Sequence, residues 1–215
     1  MNRIEMEQTL SRELVSQWAA FVIKLPKDFD VTNAIEKLEQ YQRKGIKKFK
    51  LFSENILAKA NLEQSLEQED GMNSPGILWD RITILHCKKF FTAPDSPHFK
   101  PQLHSNITTT DAELESVMRA LNQSNPARNI LLAKEATERQ KETPELAVAL
   151  WNLQSSNLAM WINQDLLYTV NIKDVKSSRL REYIKFFSVA NKIRNTAIEQ
   201  LEIIYHNKMS QRGKK

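Results

Sequence analysis

Glycine is scarce in this chain: four residues among 215. That excludes a Gly-rich loop that cradles phosphate on its backbone amides, and it removes the regular turn signals of an all-β protein. Cysteine is scarcer still. Cys87 stands alone, so neither an internal disulfide nor a thiolate metal cluster is available. Its place in an apolar run marks it as a small buried residue. No run approaches the ~20 apolar residues of a membrane-spanning helix. Glu5, Glu7 and Glu13 interrupt the charged-then-apolar pattern of a secretory leader. The expectation is a cytoplasmic protein with no membrane insertion. A nucleophile elbow, a His-Glu-x-x-His pair and a framed Cys–His pair are also missing, and nothing calls for a cofactor.

What is present favours helix. Hydrophobic residues reach 41%, too many for a disordered chain, and Leu, Ala, Glu, Lys, Gln and Arg dominate. The net charge of +5 is uneven: residues 151–215 carry 11 basic and 5 acidic groups, whereas residues 1–70 carry 11 and 12. The dense cluster Arg43, Lys44, Lys47, Lys48, Lys50 reads first as a solvated helix face, and nucleic acid is disfavoured as a partner.

Apolar spacing predicts a helix over about 3–24, with Leu10, Leu14, Trp18, Phe21 and Val22 on one side, ended by Pro26. A second should start near Asp30 or Asn33 and reach about Leu66, with Gly45 weakening or splitting it. Ser74-Pro75 is an N-cap and first-turn pair for a helix to about Phe91, apolar nearly all round and so expected to be central. Residues 93–108, with three prolines and with His98 and His104, read as a long loop. Those two histidines lack further metal ligands. Shorter helices follow over about 110–123 and 126–141, then long ones over about 144–168 and 177–207. The expected architecture is an all-α, single-domain helical bundle. It comprises an N-terminal helical hairpin (1–70), a helical core (74–208) and a disordered basic tail (209–215).

Polar residues interrupt the apolar stripes of the long helices. In the last helix, Leu180, Ile184, Phe187, Asn191, Arg194, Ile198, Leu201 and Tyr205 recur by four and three, so Asn191 and Arg194 should face the core. Asn157 breaks the stripe of the preceding helix, with Trp161 and Asp165 beyond it. Asp80 falls on the arc of Ile77, Ile84, Cys87 and Phe91. Buried polar groups need partners. One interior network is therefore expected from Asp80, Asn157, Asp165, Asn191 and Arg194, with Arg81 and Lys88 nearby, the guanidinium lying between two carboxylates. Such a network either fixes helix register or lines a pocket for a small polar or anionic ligand.

Three of these segments resemble an uncharacterised bacterial family, a domain of unknown function, over residues 76–205. Leu153 to Asp165, with Asn157 and Trp161, is similar to the family's Leu-His-x-x-Asn-x-x-Leu-Trp-x-x-Glu-Asp. Asn191 to Glu199 is similar to Asn-Gln-x-Arg-Asn-Asp-x-Ile-Glu, and Asp80 to Lys88 is similar to Asp-Arg-Leu-Ser-Ile-Leu-x-x-Lys. The family's genes lie among those for surface-polysaccharide glycosyltransferases. The resemblance implies a cytoplasmic ligand-binding or accessory role in glycan assembly, without naming an activity. Gln154 stands where the family has His, Gln164 where it has Glu, and Tyr168 where an Arg follows. A neutral amide cannot serve as a general base. Two other readings stay open. One is an oligomerising scaffold, using Trp18, Tyr41 and Phe52 against a partner helix. The other is a HEPN-type ribonuclease, since Arg81 and His86 fit an Arg-x4-His spacing.

Overall fold

The computed structural model describes residues 5, 9–10, 12–13, 34–59, 74–95, 101, 111–122, 145–169, 173 and 175–212. Among the described residues there are five helices and no strand. They are α1 (Ala34–Lys59), α2 (Pro75–Thr92), α3 (Asp111–Asn122), α4 (Leu146–Thr169) and α5 (Ser177–Arg212). Together they form an all-α, single-domain bundle. The expected helix over 126–141, the loop histidines His98 and His104, and Trp18 lie outside the described residues, as does most of the helix expected over 3–24.

The central element is α4. Every residue from Leu153 through Ala159 is buried, and almost two turns of continuous burial require neighbours on all sides. Those neighbours are α5, α1 and α2, and α2 also packs on α3 and α5. The helix expected to be buried all round, α2, is instead open on one side, where Arg81 and Lys89 are exposed and Ile77 is 49% exposed.

α1 is one continuous helix, with Gly45 inside it rather than at a break. A Cβ at Gly45 would lie 1.9 Å from Cζ2 of Trp151. The glycine thus lets the indole lie directly on the α1 backbone, and that packing outweighs the roughly 1 kcal/mol helix penalty of glycine. Trp151 and Phe49 are both buried and their rings meet at 5.9 Å. Phe52 is half-buried beside Phe49 at 6.5 Å, so it serves this chain's own core. Leu10 and Phe49 belong to the same buried cluster as Leu78, Leu150 and Leu201.

The buried face of α5 differs from the expected stripe. Tyr183, Phe186, Ala190, Ala197, Leu201 and Ile204 face inward, whereas Ile184 is 66% exposed and Asn191 is exposed. The sequence of α5 admits two apolar stripes rotated by one residue. The inner one carries Ala190 and Ala197, whose small side chains allow a neighbouring helix to approach closely. The same helix runs on to Arg212, through residues expected to be tail. It contains neither glycine nor proline up to Gly213, so nothing local stops it earlier.

Candidate functional site

The polar centre joins α2, α4 and α5. Asp80 and Thr83 sit one turn apart on α2, Asn157 is in the middle of α4, and Arg194 is in the middle of α5. Arg194 grips Asp80 with a fork: Nε donates to Oδ1 at 2.7 Å and Nη2 to Oδ2 at 2.5 Å. The Asn157 amide donates to Asp80 Oδ1 at 2.9 Å and to Thr83 Oγ1 at 2.8 Å. The Thr83 hydroxyl closes the circuit by donating to the Asp80 carbonyl at 2.8 Å. Both carboxylate oxygens, both amide hydrogens and the hydroxyl proton are therefore engaged. Planar bidentate pairing is the strongest form of such a contact. Asp80 holds the guanidinium above its ordinary value, chiefly by hydrogen bonding.

The ion pair is asymmetric in exposure. The Asp80 side chain is 8% exposed and that of Arg194 is 27%, so the acid is sealed and the base reaches the surface. Asn191 lies outside, accepting a long bond of 3.4 Å from Arg194 Nη1. It was expected on the core face and is instead at the rim.

Other expected members are placed apart from this centre. Asp165 is buried, but eight residues past Asn157 is about 12 Å along the helix axis at 1.5 Å per residue. The bonds of Arg194 among the described residues go to Asp80 and Asn191, so the guanidinium does not sit between two acids. Trp161 is half-buried and stacks on Phe91 with centroids 5.9 Å apart and planes at 9°. Lys88 is half-buried two turns beyond Asp80, and Arg81 is exposed. His86 is buried, five residues or about 140° around the helix from Arg81. Burial pushes its imidazole down to about 4, opposed by a hydrogen bond with Gln154.

Gln154 fills the position where the resembling motif has histidine. It is buried and donates to Cys87 Sγ at 3.5 Å. Burial pushes the Cys87 thiol far up, which leaves it protonated and unreactive. Gln164 is exposed and donates to the Tyr168 hydroxyl at 3.0 Å. No group of three or more His, Cys, Asp or Glu side chains among the described residues is arranged to hold a metal, and no described helix is long and apolar enough to cross a membrane.

A second polar junction was not anticipated. Glu202 of α5, buried, receives the Ser74 hydroxyl on Oε1 and the Gly76 amide at 2.8 Å. The carboxylate thus caps the first turn of α2 from another helix, using amides that have no intrahelical partner. Ser74 occupies the N-cap position but makes no cap bond of its own. Burial outweighs these hydrogen bonds and holds the Glu202 carboxyl above its ordinary value. Gly76 is needed for the approach, because a Cβ there would lie 2.5 Å from the Ile198 carbonyl oxygen. Close by, Trp79 Nε1 donates to the Tyr205 hydroxyl at 2.9 Å. The sequence signal for the junction was partial: Ser74-Pro75 marked the helix start, but nothing local pointed to residue 202.

Comparison of the chain with family models, curated proteins and solved structures finds no match.

Proposed function

We propose that this chain is a non-enzymatic accessory or scaffold protein that works by binding through its surfaces. In this reading its polar centre holds three helices in register. The observation that supports it is the completeness of the bonding around Asp80. A general base needs a free lone pair and an accessible proton, and this carboxylate is sealed and shared among Arg194 and Asn157. Beside it in the core, the His86 imidazole and the Cys87 thiol are both held neutral by burial. Surface-glycan assembly, implied by the motif resemblance, is the setting we assign to it, with the cytoplasm as its compartment.

A thermal-shift screen of nucleotide sugars tests the reading. Wild type and Arg194→Ala, each compared with its own unliganded baseline, are expected to show no shift. A nucleotide sugar that raises the melting temperature of the wild type and not that of Arg194→Ala would make the centre a ligand site and overturn the proposal.

A further inference from the structure

The hydrogen bonds that hold Ser74 and Gly76 to α5 land on one oxygen of one carboxyl group. Glu202 Oε1 takes the Ser74 hydroxyl and the Gly76 amide, while Oε2 is buried and meets no hydrogen-bond partner among the described residues. The residue is 5% exposed. On the Oε1 side the joint is too tight to admit water, since a Cβ at Gly76 would lie 2.5 Å from the Ile198 carbonyl oxygen and 2.7 Å from Oε1. Such a setting treats the two charge states of the carboxyl unequally. The neutral acid needs donors at its carbonyl oxygen alone. The anion spreads its charge over both oxygens, and the one without a donor is left where nothing solvates it. Burial therefore opposes the donors at the start of α2, and burial prevails.

Charged neighbours do not decide the balance. Within two turns of its start α2 carries Asp80, already paired with Arg194, and the exposed Arg81. On α5, Glu199 is exposed, Tyr205 accepts from Trp79, and His206, one turn past Glu202, is half-buried and already engaged. The one charged side chain of α4 is Asp165, toward its other end. α1 meets α5 over a short stretch; its Lys50 is bound to Glu145, and its other described charges are exposed. None of these shifts the Glu202 carboxyl, which answers to burial and to the donors of Ser74, Gly76 and Ile77.

We propose that this joint is a proton-held latch: with Glu202 protonated the first turn of α2 is clasped to α5, and ionisation of Glu202 parts the turn from α5 so that water reaches both oxygens. The opening is local. The Leu78 amide donates to the Ser74 carbonyl at 3.0 Å, and that bond is lost with the turn. Further along, the bond from Trp79 Nε1 to the Tyr205 hydroxyl and the fork between Arg194 and Asp80 keep α2 in place. Helix ends open at lower free energy than the core they lead into.

The latch goes beyond the proposed binding role and uses residues outside the Asp80–Arg194 pair, so each proposal can fail without the other. Hydrogen exchange at the Leu78 amide of the full chain, corrected for the intrinsic pH dependence of exchange, tests it from about pH 4 to 9. In wild type the protection factor is expected to fall as pH rises above the ordinary glutamate value. The fall should reach about tenfold per pH unit at its steepest and level off once the clasped form also ionises. Glu202→Gln keeps an acceptor at Oε1 and cannot ionise, so it should show no such fall. His86 lowers stability only on the acid side and is common to both proteins. Ser74→Ala removes a donor that favours the anion, so the fall should remain and its levelling-off move to higher pH. Infrared difference spectra between wild type and Glu202→Gln read the proton itself, as a protonated-carboxyl band that persists to higher pH than those of the exposed glutamates. A wild-type profile without the fall, the same fall in Glu202→Gln, or a levelling-off that Ser74→Ala leaves in place overturns the latch. An equal fall at the Leu153 and Leu158 amides of α4 overturns it too, because the loss would then be global.

Discussion

When Arg194 is replaced by alanine, the Asp80 carboxylate, 8% exposed, keeps one of its three donors, the Asn157 amide. Removing one partner of a buried pair costs about 3–5 kcal/mol, because the remaining charge stays buried and uncompensated. Arg194 is 27% exposed and water can reach the vacated space, so the lower end, about 3 kcal/mol, is expected. At about 2–4 °C per kcal/mol for a chain of this size, the melting temperature should fall by about 6–12 °C. The reverse change is milder. Asp80→Asn leaves a guanidinium that can hydrate on its open side, and the new amide oxygen can still accept from Nε. The loss is that of a charge-assisted hydrogen bond, about 1.5–3 kcal/mol, toward its lower end. Arg194→Lys should fall between, since an ammonium keeps the charge but cannot form the fork. Urea unfolding of the three variants at neutral pH measures the order. If Arg194→Ala costs less than about 0.5 kcal/mol, the range of an ordinary surface substitution, or if Asp80→Asn costs more than Arg194→Ala, the centre is not a sealed acid held by an exposed base.

Two buried groups should tilt stability in opposite directions with pH. His86 has its folded-state value pushed down to about 4 from 6.5. Its contribution is present in full above the unfolded value and is lost as pH falls through the folded one, about 3 kcal/mol in all. His86→Gln should flatten that acid limb in urea midpoints taken from about pH 4 to 8, and an unchanged limb would mean the imidazole is not sealed. Glu202 is raised, so its contribution is present below the unfolded value and lost as pH rises through the folded one. Glu202→Gln should therefore be at least as stable as wild type at neutral pH, while Glu202→Ala, which strips the cap from α2, should lose about 1–2 kcal/mol. A marked loss in Glu202→Gln at neutral pH would show that the charge itself is needed. Gly45→Ala and Gly76→Ala reverse the usual gain from alanine in a helix: overpacking against Trp151 or the Ile198 carbonyl costs about 1–3 kcal/mol against roughly 1 kcal/mol of propensity. Stabilisation of either variant in thermal melts would refute the close approach.

Much of the polar centre was legible because it rests on types of residue that are costly to bury. Asp80 and Asn157, set among leucines and isoleucines at helical spacing, had to find partners, and Arg194 was the one cation on a matching stripe. Asp165, expected in the same network, lies about 12 Å along the helix axis from Asn157, whereas Asn191 joins the network at its rim, through a bond from Arg194, and not from the core face. A helical wheel registers direction but not distance along the axis, and Asp165 shares the helix of Asn157 two turns away. Asn191 was misplaced because α5 has alternative stripes, and only the packing against α4 and α2 selects the one with Ala190 and Ala197. The Glu202 cap was invisible for a related reason. It joins residues 128 positions apart, and no local pattern says which carboxylate will meet a particular helix start.

By itself the sequence determined the helical class, most helix starts and ends, and the need for an internal partner for Asp80. Those follow from propensity, proline and capping residues, and the cost of burying charge, all of which act within a few residues of chain. Only the tertiary structure decided that Gly45 continues a helix instead of breaking it, that Glu202 caps α2, and which face of α5 is buried. Those outcomes depend on which surfaces meet, and a glycine, a carboxylate or a stripe acquires its role from the atoms placed opposite it.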